Sequence, residues 1–308
     1  MCVGYPQVAG TPPVIGRRGC QDAWVTFEIP IDIARHVTEW AGGEPAAPRD
    51  AATVVLLRNA PEGDGIEAYL LRRVRGMAAF GGMTVFPGGG VDPADIESDD
   101  LPWAGPDAEA WCWPLSAPPA LARGLVCAAV RETFEESGVL LAGPSADEVV
   151  ADTSAAEWEA ARRALESRER SLSTMLAERG LVLRADLLRP WAHWITPIQE
   201  PRRFDTRFFV AALPDGQLTR DVAGEAERVA WFRPADALAA RDRGDLVMVP
   251  PTAITLAELA EHSTVEDVLA AAEGRTIRPV TPRLVPDADT VRFVLPGDPG
   301  YDAQGPGA

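Results

Sequence analysis

Three glutamates crowd into the segment Arg131-Glu132-Thr133-Phe134-Glu135-Glu136-Ser137-Gly138-Val139. On a helix, residues three and four apart share a face, so Glu132 meets both Glu135 and Glu136, while Arg131 can pair with Glu135. Like charges placed that way repel one another unless a counterion joins them. Taken alone, E-x-x-E-E is a solvated acidic face. The chemistry it could do is to hold a divalent cation. Magnesium is the natural one, with manganese as a substitute, because it takes hard oxygen ligands and combines a few carboxylates with water and substrate phosphates.

Composition narrows what such a site could serve. The chain has 308 residues with 29 basic and 46 acidic side chains, a net charge of −17, and every basic residue is arginine. Without lysine there is no Schiff-base, pyridoxal-phosphate or P-loop chemistry. The acidic balance opposes binding to a nucleic-acid polymer, and no apolar run is long enough for a membrane span. Cys2, Cys20, Cys112 and Cys127 are irregularly spaced without C-x-x-C, which disfavours zinc and disulfide scaffolds and makes a reducing cytoplasm the expected compartment.

The elements that must position the acidic cluster can be read around it. Ala52–Arg58 and Glu67–Arg73 read as a hairpin across the turn-forming residues 61–65. The glycine-rich stretch 81–90 follows. Residues 92–119 mix acids, prolines and Trp103, Trp111 and Trp113 without periodicity and read as a long inserted loop that packs on something. Ala120–Gly138 has helical spacing with a glycine stop. A charged helix is predicted over 155–179. Strands are predicted over 190–196, 204–213 and 227–232, then helices over 234–243, 251–261 and 265–273. Residues 1–22 and 296–308 read as loose ends of a domain covering 23–295, with its motif split by 96–119 and a helical extension from about 246.

With Phe86-Pro87-Gly88-Gly89 upstream, G…RETFEESGV resembles the signature of the Nudix hydrolase superfamily, G-x5-E-x7-R-E-U-x-E-E-x-G-U with U apolar. Thr133 stands where an apolar residue is usual, Asp95 stands in place of the first glutamate, and 35 residues instead of seven separate it from Arg131. One subgroup, the peroxisomal coenzyme A diphosphatases of the nucleoside diphosphate-linked moiety X motif 19 type, carries such an insertion. The segments Trp191–Pro197 and Arg202–Phe208 are similar to the same subgroup.

The resemblance implies an α/β/α sandwich around a mixed sheet that hydrolyses a nucleoside diphosphate linked to another moiety. By position it implies that Glu135 and Glu136 bind magnesium and that Glu132 binds metal or orients the attacking water. It also implies that the Gly88 carbonyl adds a ligand, Arg131 braces the carboxylates, and a glutamate before a tryptophan strand completes the site, Glu225 being preferred to Glu227. The first-choice substrate is coenzyme A or an acyl-coenzyme A. An NADH or ADP-ribose diphosphatase and a non-catalytic nucleotide sensor are the alternatives. A small nucleotide-type ligand needs cations, and Arg72, Arg75, Arg202 and Arg203 are the candidates; Ala78 replaces an arginine found in another coenzyme A branch. Nothing in the sequence decides between a monomer and a homodimer.

Overall fold

The computed structural model describes residues 27–30, 37, 39, 40, 43–73, 82–98, 100–220, 226–287, 289–299 and 301. The segment 1–22 therefore lies outside the described residues. The chain opens with β1 (Phe27–Pro30), then β2 (Arg49–Asn59) and β3 (Ile66–Arg73), followed by the short β4 (Thr84–Val85) and β5 (Gly88–Gly90). Helix α1 (Pro93–Ile96), β6 (Trp103–Ala104) and α2 (Ala108–Leu115) lead into the long α3 (Pro119–Ser137). Next come β7 (Ala142–Gly143), α4 (Ala156–Glu166), α5 (Leu172–Glu178), β8 (Val182–Arg184), β9 (Arg189–Ile195), β10 (Phe204–Ala212) and β11 (Ala226–Phe232). The helices α6 (Pro234–Asp242), α7 (Pro250–Leu259) and α8 (Val265–Ala272) precede β12 (Pro279–Val280), β13 (Arg283–Asp287) and β14 (Thr290–Val294). Among the described residues no helix is long and apolar enough to cross a membrane.

Two compact units result, one of Arg49–His193 with Thr206–Arg278, the other of the remaining segments. In the larger unit the main sheet runs in the order β11-β3-β2-β10-β9, with β4 added to β3 and β5 to β2. The predicted hairpin is present: Leu57, Arg58 and Asn59 oppose Ala68, Glu67 and Ile66, and Arg58 pairs with Glu67 across the strands at 2.7 Å. A second sheet, β6-β8-β7, joins a parallel and an antiparallel pair.

Strand β2 explains the layering. Val54, Val55, Leu56 and Leu57 are all buried, a continuous apolar run as expected of a strand covered on both faces. Successive side chains point to opposite faces. Ala52, Val54 and Leu56 join one core with Leu125, Ala129 and Phe134 of α3, while α6 packs against β3 and α8 against β2. This is an α/β/α sandwich around a mixed sheet.

The insert differs from the long loop expected over 92–119. It folds into α1, β6 and α2, and Leu101, Trp111, Leu115 and Ala117 enter the main core. Trp111 meets Phe209 of β10 edge-on, ring centroids 6.0 Å apart, and its indole N–H donates to the Pro106 carbonyl. The helix was illegible because it is only eight residues long and carries Pro114 inside, too short for a 3.6-residue period to repeat. The helix predicted over 155–179 is broken. Arg168 takes φ 59° after α4, and Ser171 caps α5 by accepting from the Thr174 N–H.

In the smaller unit β1, β14 and β13 form a sheet, with Val37, Leu284 and Val291 beneath it. The tail expected to be loose from Pro296 is anchored as far as Tyr301, whose hydroxyl donates to the Thr281 carbonyl while the Arg283 guanidinium lies over its ring.

Because Trp111 is a core residue, Trp111→Ala should cost about 3–5 kcal/mol of stability. Trp113→Ala, at a side chain 74% exposed, should change it by less than about 0.5 kcal/mol. Denaturant unfolding of the two variants checks the contrast.

Candidate active site

Helix α3 carries the acidic cluster, and its ends are set locally. Pro119 opens the helix at N1, and Gly138 closes it at φ 75°. A Cβ at Gly138 would also lie 2.6 Å from the Arg220 Nε, so backbone sign and space both require glycine there. Thr133, the departure from the apolar pattern, is fully buried and returns its hydroxyl to the Ala129 carbonyl at 2.7 Å. A buried hydroxyl is tolerated when it bonds back to its own helix.

The buried Arg131 organises the site. Its Nη2 donates to Asp95 Oδ2 at 2.9 Å and to the Gly90 carbonyl at 2.8 Å, and its Nε donates to Asp95 Oδ1 at 3.1 Å. Its Nη1 donates to Glu132 Oε1 at 2.7 Å and to Glu135 Oε1 at 3.3 Å. Burial pulls its pKa down, but the hydrogen bond to Asp95 and the charges of Glu132, Asp95 and Glu135 outweigh it and hold the guanidinium above its ordinary value. On the glycine strand β5, the Gly88 N–H donates to Glu136 Oε2 at 2.8 Å. A Cβ at Gly89 would lie 2.5 Å from Glu132 Oε1, so glycine is what lets the strand pass the carboxylate. Burial first, and the charge of Glu132 second, push Glu135 up to about 8.

Gly88–Gly90, Arg131, Glu132, Glu135 and Glu136 line a cleft of about 490 Å³ together with Leu71, Asp92, the last residues of α4 (Leu165 and Glu166) and Ser167 and Arg168 in the turn after it. A larger, more open depression of about 620 Å³ around Glu159 and Arg163 lacks the glutamate cluster. Among the described residues no three Asp, Glu, His or Cys side chains stand close enough, as placed, to hold an ion. The cause is visible in the bonds above, with Glu132 and Glu135 turned to Arg131 and Glu136 to Gly88.

The structure thus brings together Gly88, Arg131, Glu132, Glu135 and Glu136. Arg72 donates from Nε to the Gly82 carbonyl at 3.3 Å, and Arg203 donates to the carbonyls of Thr196 and Ala46. Arg202 is exposed in the smaller unit. None of these three lines the cleft. Arg75 and Glu225 lie outside the described residues, as does the side chain of Glu227. No tryptophan of the insert lines the cleft, and Trp103 and Trp111 both pin the insert through the Pro106 carbonyl. Sequence reasoning missed Asp95 as the partner of Arg131, although it occupies the acidic position of the motif. It also missed Arg162, a 2% exposed guanidinium that joins Glu159 and Glu166 to the Glu135 carbonyl. Nothing in the sequence marked Glu166 or Arg168, which sit where an unbroken helix was predicted.

Fold and cleft together define an α/β/α sandwich with an acidic cleft braced by a buried arginine. The model of the NUDT19 Nudix domain matches residues 116–259. Acyl-coenzyme A diphosphatase NUDT19 of Gallus gallus is 25% identical, the match covering 82% of this chain and 79% of that one. The Homo sapiens protein of the same name is 25% identical, covering 78% and 74%. A solved Nudix hydrolase from Alicyclobacillus acidocaldarius superposes with a TM-score of 0.58 at 30% identity, covering 73% of this chain and 96% of that one. The chain belongs to the Nudix hydrolases, of the NUDT19 type, and is a hydrolase acting on diphosphate bonds.

Two expected outcomes follow from the geometry. Gly89→Ala should displace the Glu132 carboxylate and reduce activity while the fold is retained, as circular dichroism and turnover together would reveal. The raised pKa of Glu135 favours the proton-bound folded state between about 4.5 and 8, so ionisation of the unfolded chain erodes stability as pH rises through that window. In chelator-treated protein the melting temperature of Glu135→Gln should therefore rise relative to the parent from pH 4.5 to 8 and level off beyond. A difference independent of pH would contradict it.

Proposed function

We infer that the chain hydrolyses the diphosphate of coenzyme A or an acyl-coenzyme A, giving 3′-phosphoadenosine 5′-phosphate and (acyl-)4′-phosphopantetheine. The observation that carries this reading is the charge of the cleft in a chain of the NUDT19 type. Among the described residues five carboxylates, those of Asp92, Glu132, Glu135, Glu136 and Glu166, face two guanidiniums, and Arg131 is already committed to protein partners. Nudix hydrolases generally use divalent metal ions, and this donor set fits one. It offers carboxylate and carbonyl oxygens without sulfur or imidazole, which suits a hard cation such as magnesium or manganese. Burial first, and the charge of Glu132 second, raise Glu135 to about 8, and a bound cation would offset both.

Glu132, Glu135, Glu136 and the Gly88 carbonyl would hold the ion. The chemistry it supplies there is charge for the diphosphate oxygens and a lowered pKa for water. Arg131 keeps Glu132 and Glu135 at fixed reach. Glu132 would hold the ion or orient the water, while Leu71 and Leu165 give the cleft its apolar part. Glu225 and Arg75 stay within this proposal as the outlying ligand or base and a substrate cation. The water oxygen forms a bond to one phosphorus as the bridging P–O bond breaks, so no protein nucleophile and no lysine are needed.

The test is a panel of coenzyme A, acyl-coenzyme A, NADH, ADP-ribose and nucleoside triphosphates in magnesium, run in oxygen-18 water. The expected result is label in one phosphate product and none in a thiol or acyl group. Label in a released fatty acid would indicate a thioesterase, preference for NADH or ADP-ribose would replace the substrate, and no turnover would indicate a sensor. Glu135→Gln and Glu136→Gln should each lower kcat by about 10²-fold or more, as expected when groups that act on transition-state charge are removed. Near-normal rates in saturating magnesium would refute the ligand assignment.

A further inference from the structure

The turn after α4 holds a feature that the reading above does not use. Arg168 and Ser116 are the non-glycine residues with positive φ among those described. At the ends of α3, α5, α6 and α8 the corresponding left-handed residue is Gly138, Gly180, Gly244 or Gly274, as expected where a side chain strains the backbone. At the end of α4 the position is filled by arginine, at φ 59°, and that arginine lines the cleft. Its guanidinium meets the Asp92 carboxylate from two nitrogens, Nε to Oδ2 at 3.1 Å and Nη2 to Oδ1 at 3.1 Å.

The two cleft guanidiniums are unlike one another. Arg131 is buried and bonded to Asp95, Gly90, Glu132 and Glu135. The Arg168 side chain is 77% exposed, and its partner Asp92 is 22% exposed. An exposed pair of this kind is weak and screened by solvent, so an anion entering the cleft can take the place of Asp92. A guanidinium fork matches phosphate oxygens as well as it matches a carboxylate.

We propose that Arg168 is the phosphate clamp of the cleft, held ready by Asp92 and transferred to a phosphate group of the substrate when it binds. The proposal rests on the diphosphatase reading and adds the residue that receives the anion at the turn after α4. That phosphate is either part of the diphosphate or a peripheral monoester such as the 3′-phosphate.

Arg168→Gly is the informative variant, because glycine is the residue the backbone prefers there and the fold should be kept or stabilised. The expected result is a KM for coenzyme A raised about tenfold or more with kcat little changed, since a charge-assisted pair to the bound substrate is lost. Arg168→Lys should recover part of the loss. Asp92→Asn breaks the same ion pair from the other side and should leave KM unchanged or lower it. If the pair were only a structural strap, Asp92→Asn and Arg168→Gly would impair the enzyme alike, and that outcome, or an unchanged KM in Arg168→Gly, overturns the clamp. Repeating the series with dephospho-coenzyme A locates the contact: a KM effect that persists assigns the diphosphate, and one that disappears assigns the 3′-phosphate. Titration of imidodiphosphate with magnesium gives a readout besides turnover. If the parent protein hydrolyses none of the panel, the diphosphatase reading fails; weaker imidodiphosphate binding by Arg168→Gly than by the parent then still supports the clamp, and equal binding or none by the parent overturns it.

Discussion

One buried guanidinium carries the architecture of the cleft. A charge taken out of water is costly unless every donor is met, and Arg131 meets that demand with partners from three places: Asp95 of α1, the Gly90 carbonyl of β5, and Glu132 and Glu135 of its own helix. The glycine strand and the acidic helix are joined through this side chain, and again through the Gly88 N–H and Glu136. Because arginine cannot surrender its proton in any ordinary range, the guanidinium stays charged while Glu135 beside it titrates.

The insert follows from the same constraint. Asp95 lies 36 positions before Arg131 in the chain, so the intervening segment must fold back for the two to meet. Helix α1 packs on α3, where Gly124 leaves room for Ile96, and α2 sends Trp111 and Leu115 into the main core. A segment that interrupts the motif in sequence is in this way part of the motif in space. Behind α3, Arg162 joins Glu159 and Glu166 of α4 to the Glu135 carbonyl, and Phe134 packs edge-on against Trp158. The turn that follows α4 is thereby held against the cleft, which places Glu166 and Arg168 on its wall.

The acidic cluster was legible in the sequence because it depends on spacing within one helix. The positions of Glu132, Glu135 and Glu136 on a shared face follow from 3.6 residues per turn, and Gly138 marks the stop by its own conformational preference. The β2–β3 hairpin was legible for a similar reason, since apolar runs flank a Pro-Glu-Gly-Asp-Gly turn. Outside 155–179, the elements in which the period had room to repeat were found close to their observed ends.

What only the tertiary structure decided involves partners distant in the chain or elements too short to show a period. That Asp95 answers Arg131, that Trp111 is core while Trp113 is solvent-facing, and that Arg72 and Arg203 bond backbone carbonyls are outcomes of packing, which composition and spacing do not encode. The break after α4 was hidden because Ser-Arg-Glu-Arg reads as exposed helix, and an arginine in the left-handed region has no local signature. Local periodicity therefore determined which side chains form the acidic cluster, while long-range burial of a single charge determined what surrounds it.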